Sequence, residues 1–260
     1  MDNTTGQFTA HNILLDDGRK TRPEAGFLLT EDQWCRSVKR LLGALYPAGV
    51  QGLRIADLGC LEGGFTVEFA RMGMDALGLE VRQSNFRNCL HVKQHVDLPN
   101  LQFINDDAWN LWRHGTFDVV FFCGQLYHID RPVAFIRMLS RLCRKVLILN
   151  THFATETANP NYCLSDITSH EGVKGRWFLE YDSSDVELKG NLDMLKWASW
   201  SNDRSFWIQR EHIFDVLKQT GFNLVMEDFD CLPDRISDSM LNGYYKTHDR
   251  GVFVGVRVKE

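Results

Sequence analysis

Asp57-Leu58-Gly59-Cys60-Leu61-Glu62-Gly63-Gly64, with Glu80 21 residues after Gly59, are the residues whose types and spacing can do chemistry. An apolar run, Ile55 to Leu58, enters a glycine-rich turn that opens a helix, and a second run, Leu77 to Leu79, ends in the Glu80 carboxylate. Such an arrangement holds an adenosine-bearing cofactor at the carboxyl edge of a parallel sheet. A dinucleotide fingerprint, G-x-G-x-x-G, needs its second glycine so that backbone can approach a pyrophosphate. Here Leu61 occupies that position, and Gly63 comes two residues later. A pyrophosphate would be crowded, whereas a nucleoside with an amino-acid tail has no phosphate to cradle. The spacing therefore disfavours an NAD-linked oxidoreductase. A carboxylate at Glu80 is placed to accept from both ribose hydroxyls.

Two further groups follow in order. Asn105-Asp106-Asp107-Ala108-Trp109 comes after a third apolar run, and Cys123-Gly124-Gln125-Leu126-Tyr127-His128 after a fourth. Each position also has a plainer role: Asp57 as a strand-end cap, Glu80 as a solvated residue, Asp107 as the cap of a turn. Four such positions in this order, each at a strand's carboxyl end, argue for the cofactor. The D-x-G-x-x-x-G pattern resembles motif I of the class I S-adenosylmethionine-dependent methyltransferases, and Asn105–Trp109 resembles their acidic motif. The resemblance implies S-adenosyl-L-methionine as cofactor and S-adenosyl-L-homocysteine as product. It implies that Asp57, Gly59, Cys60 and Gly63 pass under the methionine portion, and that Glu80, with Val81, takes the ribose. It gives the adenine amino group to Asp107, with Asp106 as the alternative, and lines the adenine slot with Ala108 and Trp109. Backbone at Cys123 and Gly124 would meet the methionine end.

Within that family, Glu80-Val81-Arg82-Gln83-Ser84-Asn85, Gly124-Gln125-Leu126-Tyr127-His128-Ile129 and Pro132 resemble the methyltransferases related to the tRNA wobble-uridine methyltransfer and carboxymethyltransfer enzymes. His11-Asn12-Ile13-x-Leu15-x-Asp17-Gly18-x-x-Thr21 is similar to the upstream segment of that group. The similarity covers residues 8–150 and 205–230. The group includes many small-molecule enzymes, so it does not name a substrate.

Methyl transfer displaces a good leaving group from a cationic sulfonium, so alignment of nucleophile and methyl carbon carries much of the rate. A base is needed only where the acceptor must lose a proton. His128 is the best-placed base, with hydrogen bonding to a loop or orientation of substrate as its other roles; His152 is second. Tyr127 contacts substrate or packs against the glycine turn. No metal site is expected.

The elements that must position these residues alternate. Helical spacing over Glu31 to Tyr46, with Thr30 as N-cap, precedes strands at 53–58, 75–80, 101–105, 117–122 and 145–150, with helices at 63–72, 83–95 and 131–143 between them. Continuously apolar strands such as Val119–Phe122 expect helices on both sheet faces. A helix at 209–220 and late strands at 222–229 and 251–258 complete the pattern. The fold class is α/β: a doubly wound, Rossmann-like, seven-stranded sheet with an antiparallel last strand. Residues 1–50 read as an N-terminal arm and helix, with a surface arm over 1–30, and 51–260 as the methyltransferase domain. A lid insertion, 151–205, follows the fifth strand without a sustained strand–helix repeat. Its Trp177, Tyr181, Trp197 and Trp200, with Phe206 and Trp207, suggest a pocket for a planar or apolar acceptor, or the insertion's own small core. Arg176 and Arg204 are candidates to pair with an acidic group.

Composition sets the remaining bounds. The chain has 260 residues, is 44% hydrophobic and 24% charged, and carries net charge −5. With a pI near 6.0 this argues against broad, charge-driven nucleic-acid binding. No run of 18 apolar residues marks a membrane span, and the N-terminus lacks a secretory pattern. Seven scattered cysteines without C-x-x-C fit reduced, buried thiols and a cytoplasmic setting. The leading expectation is a cytoplasmic enzyme methylating an oxygen or nitrogen of a small, aromatic or planar molecule. The alternatives are a tRNA-modifying enzyme of the wobble-uridine type and a non-catalytic cofactor-binding module. The oligomeric state is left open.

Overall fold

The computed structural model describes residues 7–182, 184, 191–231 and 248–258. Helix α1 (Gln33–Leu45) leads into β1 (Arg54–Leu58), α2 (Gly64–Arg71), β2 (Asp75–Leu79), α3 (Gln83–Gln94) and β3 (Leu101–Ile104). Then come β4 (Phe117–Cys123), α4 (Pro132–Leu142), β5 (Cys143–His152), β6 (Thr168–His170), β7 (Val173–Leu179) and β8 (Arg204–Ile208). Helix α5 (Arg210–Gln219), β9 (Leu224–Glu227) and β10 (Arg250–Val256) follow. Seven strands form one sheet in the order β3-β2-β1-β4-β5-β10-β9, and β6-β7-β8 form a second. The doubly wound class with an antiparallel last strand is thereby present. The chain divides into two compact units, the first running to Val120 and the second beginning at Phe121.

In the first unit β1 runs parallel to β2, with Asp57 opposite Gly78, and β2 parallel to β3, with Gly78 opposite Phe103. Ile55, Ala56, Leu58, Ala76 and Leu79 are buried, as are Val67 and Phe69 of α2 and Val92 of α3. Burying each such large side chain stabilises the fold by about 1.5–3 kcal/mol relative to leaving it in water. Helix α1 is capped by Asp32, not Thr30: its carboxylate accepts from the Trp34 and Cys35 N–H groups. Residues 29–31 form a 3-10 turn instead.

The expected surface arm is anchored. His11, Asn12, Ile13 and Leu15 are buried, and the fully buried Glu62 carboxylate accepts from the N–H groups of Thr9, Ala10 and His11. A carboxylate inside the glycine turn needs donors, and consecutive arm amides supply them. Thr21 Oγ1 accepts from Ile13 N and donates to the His11 carbonyl, and Asn12 Oδ1 accepts from Arg22 N. The polar residues of the His11–Thr21 motif thus hold a tight turn closed.

In the second unit β10 lies antiparallel to both β5 and β9, with Phe253 opposite Leu149 and Glu227. Residues 151–205, read as an insertion without a sustained strand–helix repeat, contribute to an antiparallel three-stranded sheet. A two-residue hairpin joins β6 to β7: His170 pairs with Val173, and Glu171 and Gly172 take φ of 52° and 83°. The Glu171 carboxylate accepts from Val133 N and Ala134 N at 2.8 and 3.0 Å, capping α4 from outside.

Candidate active site

Glu80 follows β2 directly and is 4% exposed. Its Oε2 accepts from Leu61 N at 2.9 Å and its Oε1 from Arg82 N at 2.8 Å. Each oxygen keeps a second acceptor direction. Burial pushes Glu80 up to about 7, against the bond from Arg82 N and the Arg82 charge. Asp57, 3% exposed at the end of β1, accepts from Thr66 Oγ1 at 2.6 Å, and burial lifts it to about 7 as well, with the nearby Glu80 charge adding to the rise. The turn between them has Gly59 at φ 64° and Gly63 at φ 81°. Leu61 also sits at positive φ, 51°, tied by its N–H to Glu80 and by its carbonyl to Cys89 Sγ. A Cβ on Gly63 would lie 2.5 Å from Phe103 Cζ. At the start of α2, Gly64 N donates to His11 Nδ1 at 3.1 Å, and burial holds His11 down at about 4, so the ring is neutral and accepts.

The two candidates for the adenine amino group differ in what they have left. Asp106 is fully engaged, with Asp107 N and Asn110 Nδ2 on Oδ1 and His114 Nε2 on Oδ2. Asp107 Oδ1 accepts from Trp109 N at 2.9 Å, while its Oδ2 has no hydrogen-bond partner among the described residues. Asn105 Nδ2 donates to the Glu80 and Val81 carbonyls at 2.7 and 3.0 Å, joining this strand end to the Glu80 loop.

In the second unit, residues 126–128 form a 3-10 turn after β4 that presents Tyr127 and His128. His128 Nδ1 lies 2.9 Å from both oxygens of Glu180, whose side chain is 1% exposed. Glu180 also accepts from Ser199 N at 2.9 Å and Ser205 Oγ at 2.5 Å. Across Tyr127, at a ring separation of 4.7 Å, stands His152, whose Nδ1 is 3.2 Å from Asp249. His152 stacks on Trp207 at 4.8 Å, and Tyr162 meets both rings edge-on. Trp207 Nε1 donates to the Tyr127 carbonyl at 2.9 Å, which fixes the buried indole. Burial pushes the Tyr127 phenol up, so it stays protonated. The Nε2 atoms of His128 and His152 have no hydrogen-bond partner among the described residues.

The protein-family comparison matches residues 56–148 to the methyltransferase domain. The match takes in just over a third of the chain and includes the glycine turn, Glu80 and Asp107. A domain of the matched kind uses S-adenosylmethionine as its cofactor. A ubiquinone biosynthesis O-methyltransferase of Cereibacter sphaeroides (strain ATCC 17025 / ATH 2.4.3) is 24% identical over 183 residues, spanning 69% of this chain and 64% of that relative's length. Among solved structures, the N-terminal domain of EvdMO1, crystallised in the presence of SAH and D-fucose, is similar at a TM-score of 0.65 and 22% identity. That similarity covers 95% of this chain and 90% of that one. The 1,6-didemethyltoxoflavin-N1-methyltransferase of Burkholderia thailandensis is similar at a TM-score of 0.53 and 11% identity, covering 88% and 80%. These two likenesses are of fold.

The residues of the first unit fit an S-adenosylmethionine moiety: Glu80 keeps free acceptor directions, Asp107 keeps Oδ2, and Gly59 and Gly63 carry no side chain at their own positions in the turn. Cys60 is 2% exposed with its thiol 3.9 Å from Cys89 Sγ, so only its backbone is left to meet a ligand. Val81 is half-buried, and Ala108 and Trp109 open the 3-10 turn after Asp107. In the second unit, Cys123 ends β4 and Gly124 has φ of 69°. Trp177 packs on His170 and Phe206 at 4.8 and 5.1 Å within the small sheet. Tyr181 and Trp200 are half-buried, Trp197 is exposed, and Arg204 is exposed at the start of β8. Arg176, a candidate for an acidic substrate group, is instead buried with its guanidinium spent on the carbonyls of Thr155, Glu156 and Ser165. Glu180 and Asp249 escaped the sequence reading, each being a lone acid without a local pattern, and Glu62, though inside the glycine motif, was given no role of its own.

Proposed function

We propose that the protein transfers the methyl group of S-adenosylmethionine to an oxygen or nitrogen of a small, aromatic or planar molecule, in the cytoplasm. The observation that carries this is the cluster of Tyr127, His152, Tyr162 and Trp207 rings with His128 beside Tyr127 at 4.2 Å. Aromatic walls with a few convergent polar groups suit a small planar ligand. The relatives support the class of acceptor atom, one being named an O-methyltransferase and another an N-methyltransferase. Among the described residues no helix is long and apolar enough to cross a membrane.

When bound, S-adenosylmethionine supplies an electrophilic methyl group whose sulfur leaves as a neutral thioether with the bonding pair. Glu80 would hold the ribose, Asp107 the adenine amino group, and the turn at Gly59 to Gly63 the methionine end. His128 Nε2 takes the acceptor's proton as its oxygen or nitrogen lone pair attacks. Tyr127, His152, Trp177, Tyr181, Trp200 and Arg204 form the acceptor's surroundings.

The test is methyl transfer from labelled cofactor to a panel of phenols, aza-aromatic N–H compounds and bulk tRNA. Incorporation into a small molecule, with His128→Ala lowering kcat about 100-fold and leaving cofactor affinity unchanged, is expected. Methylation of tRNA alone, with binding that falls steeply with salt, would assign the protein to the wobble-uridine group instead. Cofactor binding without turnover on any acceptor would leave a non-catalytic module.

A further inference from the structure

The second unit contains a closed polar circuit around His128 that no sequence motif announces. Glu180 follows β7 and continues its ladder, its N–H donating to the Asp203 carbonyl at 2.9 Å. Its carboxylate is buried and has four contacts: both oxygens on His128 Nδ1, the Ser199 amide and the Ser205 hydroxyl. Ser199 Oγ donates to Asn202 Oδ1 at 2.8 Å, and Asn202 Nδ2 returns to the His128 carbonyl at 3.2 Å. Ring and backbone of His128 are therefore gripped by the same insertion.

A carboxylate only accepts, so the hydrogen between His128 and Glu180 must sit on Nδ1. The neutral imidazole is then confined to the tautomer whose lone pair is on Nε2, the atom with no partner among the described residues. A buried carboxylate without donors would be costly. Ser199 and Ser205 supply two, and they also fix the direction in which Glu180 points. We infer that Glu180 is a positioning residue: it selects the Nδ1–H tautomer of His128 and aims Nε2 as the base for the acceptor's proton. The proton of the acceptor O–H or N–H passes to Nε2, and the imidazolium so formed is paired with the Glu180 charge. The insertion after β5 thus supplies the partner that makes His128 a directed base. This inference rests on the reading of His128 above.

The experiment separates the two. Nitrogen-15 spectra of the imidazoles in the protein report the tautomer without any turnover. The wild type is expected to show His128 as a single Nδ1–H species. Glu180→Gln, whose amide can donate as well as accept, is expected to show mixed tautomers, with kcat falling 10- to 100-fold on the order expected for a misdirected base. KM for cofactor should stay unchanged, and Glu180→Asp should recover part of kcat. Should Glu180→Gln not fold, Ser205→Ala gives a second route, with a smaller fall in kcat and partial mixing. A His128 spectrum unchanged in both variants, or an Nε2–H wild type, overturns the role of Glu180. An Nδ1–H wild type with full activity in His128→Ala overturns the reading of His128 as base.

Discussion

At the scale of single residues, Glu80 does two jobs with one carboxylate. Its two oxygens tie down Leu61 N and Arg82 N, and their remaining directions are what a ribose would use. Hydrogen bonds to a charged acceptor contribute about 1.5–3 kcal/mol each, so Glu80→Ala should weaken cofactor binding by at least 10-fold, roughly one such bond. Calorimetric titration with S-adenosylhomocysteine reads this directly, and unchanged affinity would remove Glu80 from the ribose. Leu61, held at positive φ partly by Glu80, should also loosen, which limited proteolysis of the turn would register. Glu80 was a candidate from the sequence because strand, turn and carboxylate form one local pattern. Glu180 was not, since its partner His128 lies 52 residues away and only the folded small sheet brings them together.

At the scale of elements, the strand–helix alternation was readable because strands such as β4 and β5 hold continuous apolar runs and helices such as α1 carry one buried stripe. The small sheet of β6, β7 and β8 was not, because β6 has three residues and its turn, Glu171-Gly172, lacks the usual Asn-Gly or Asp-Gly signal. The arm was misread for a related reason: its polar residues suggested solvent, yet they satisfy Glu62 and the start of α2. The glycine turn shows what such elements tolerate. Gly63 combines φ of 81° with a Cβ position 2.5 Å from Phe103 Cζ, so Gly63→Ala meets backbone strain and overpacking together. A loss of about 2–4 kcal/mol in unfolding free energy is expected. Gly52→Ala, at φ of 74° with nothing near its Cβ, should cost only the strain, about 1 kcal/mol. Equal denaturation midpoints for the two variants would mean that Phe103 yields freely.

At the scale of the whole molecule, the buried carboxyls of Asp57 and Glu80 connect cofactor binding to proton balance. Both are raised to about 7 from ordinary values of 3.8 and 4.5, burial being the main cause. A raised carboxyl means that the folded chain holds more protons than the unfolded chain between those limits. Their contribution to stability is therefore fully present below the ordinary values and is lost as pH rises through about 7. Glu68 has the opposite sign: burial raises it, but Lys39 and Arg71 outweigh that and hold it low. Its contribution is present above its ordinary value of 4.5 and is lost in acid, as pH falls through its lowered value. Ribose hydroxyls donating to Glu80 favour its charged form, which predicts that cofactor binding expels protons near neutrality. Titration at about pH 6 in two buffers of different ionisation enthalpy should show release of up to about one proton per cofactor bound. Affinity should rise with pH until it levels above about 7. Proton uptake instead would mean that the ligand meets a neutral Glu80. Glu80→Gln separates the two acids: release that vanishes in the variant belongs to Glu80, and release that persists belongs to Asp57.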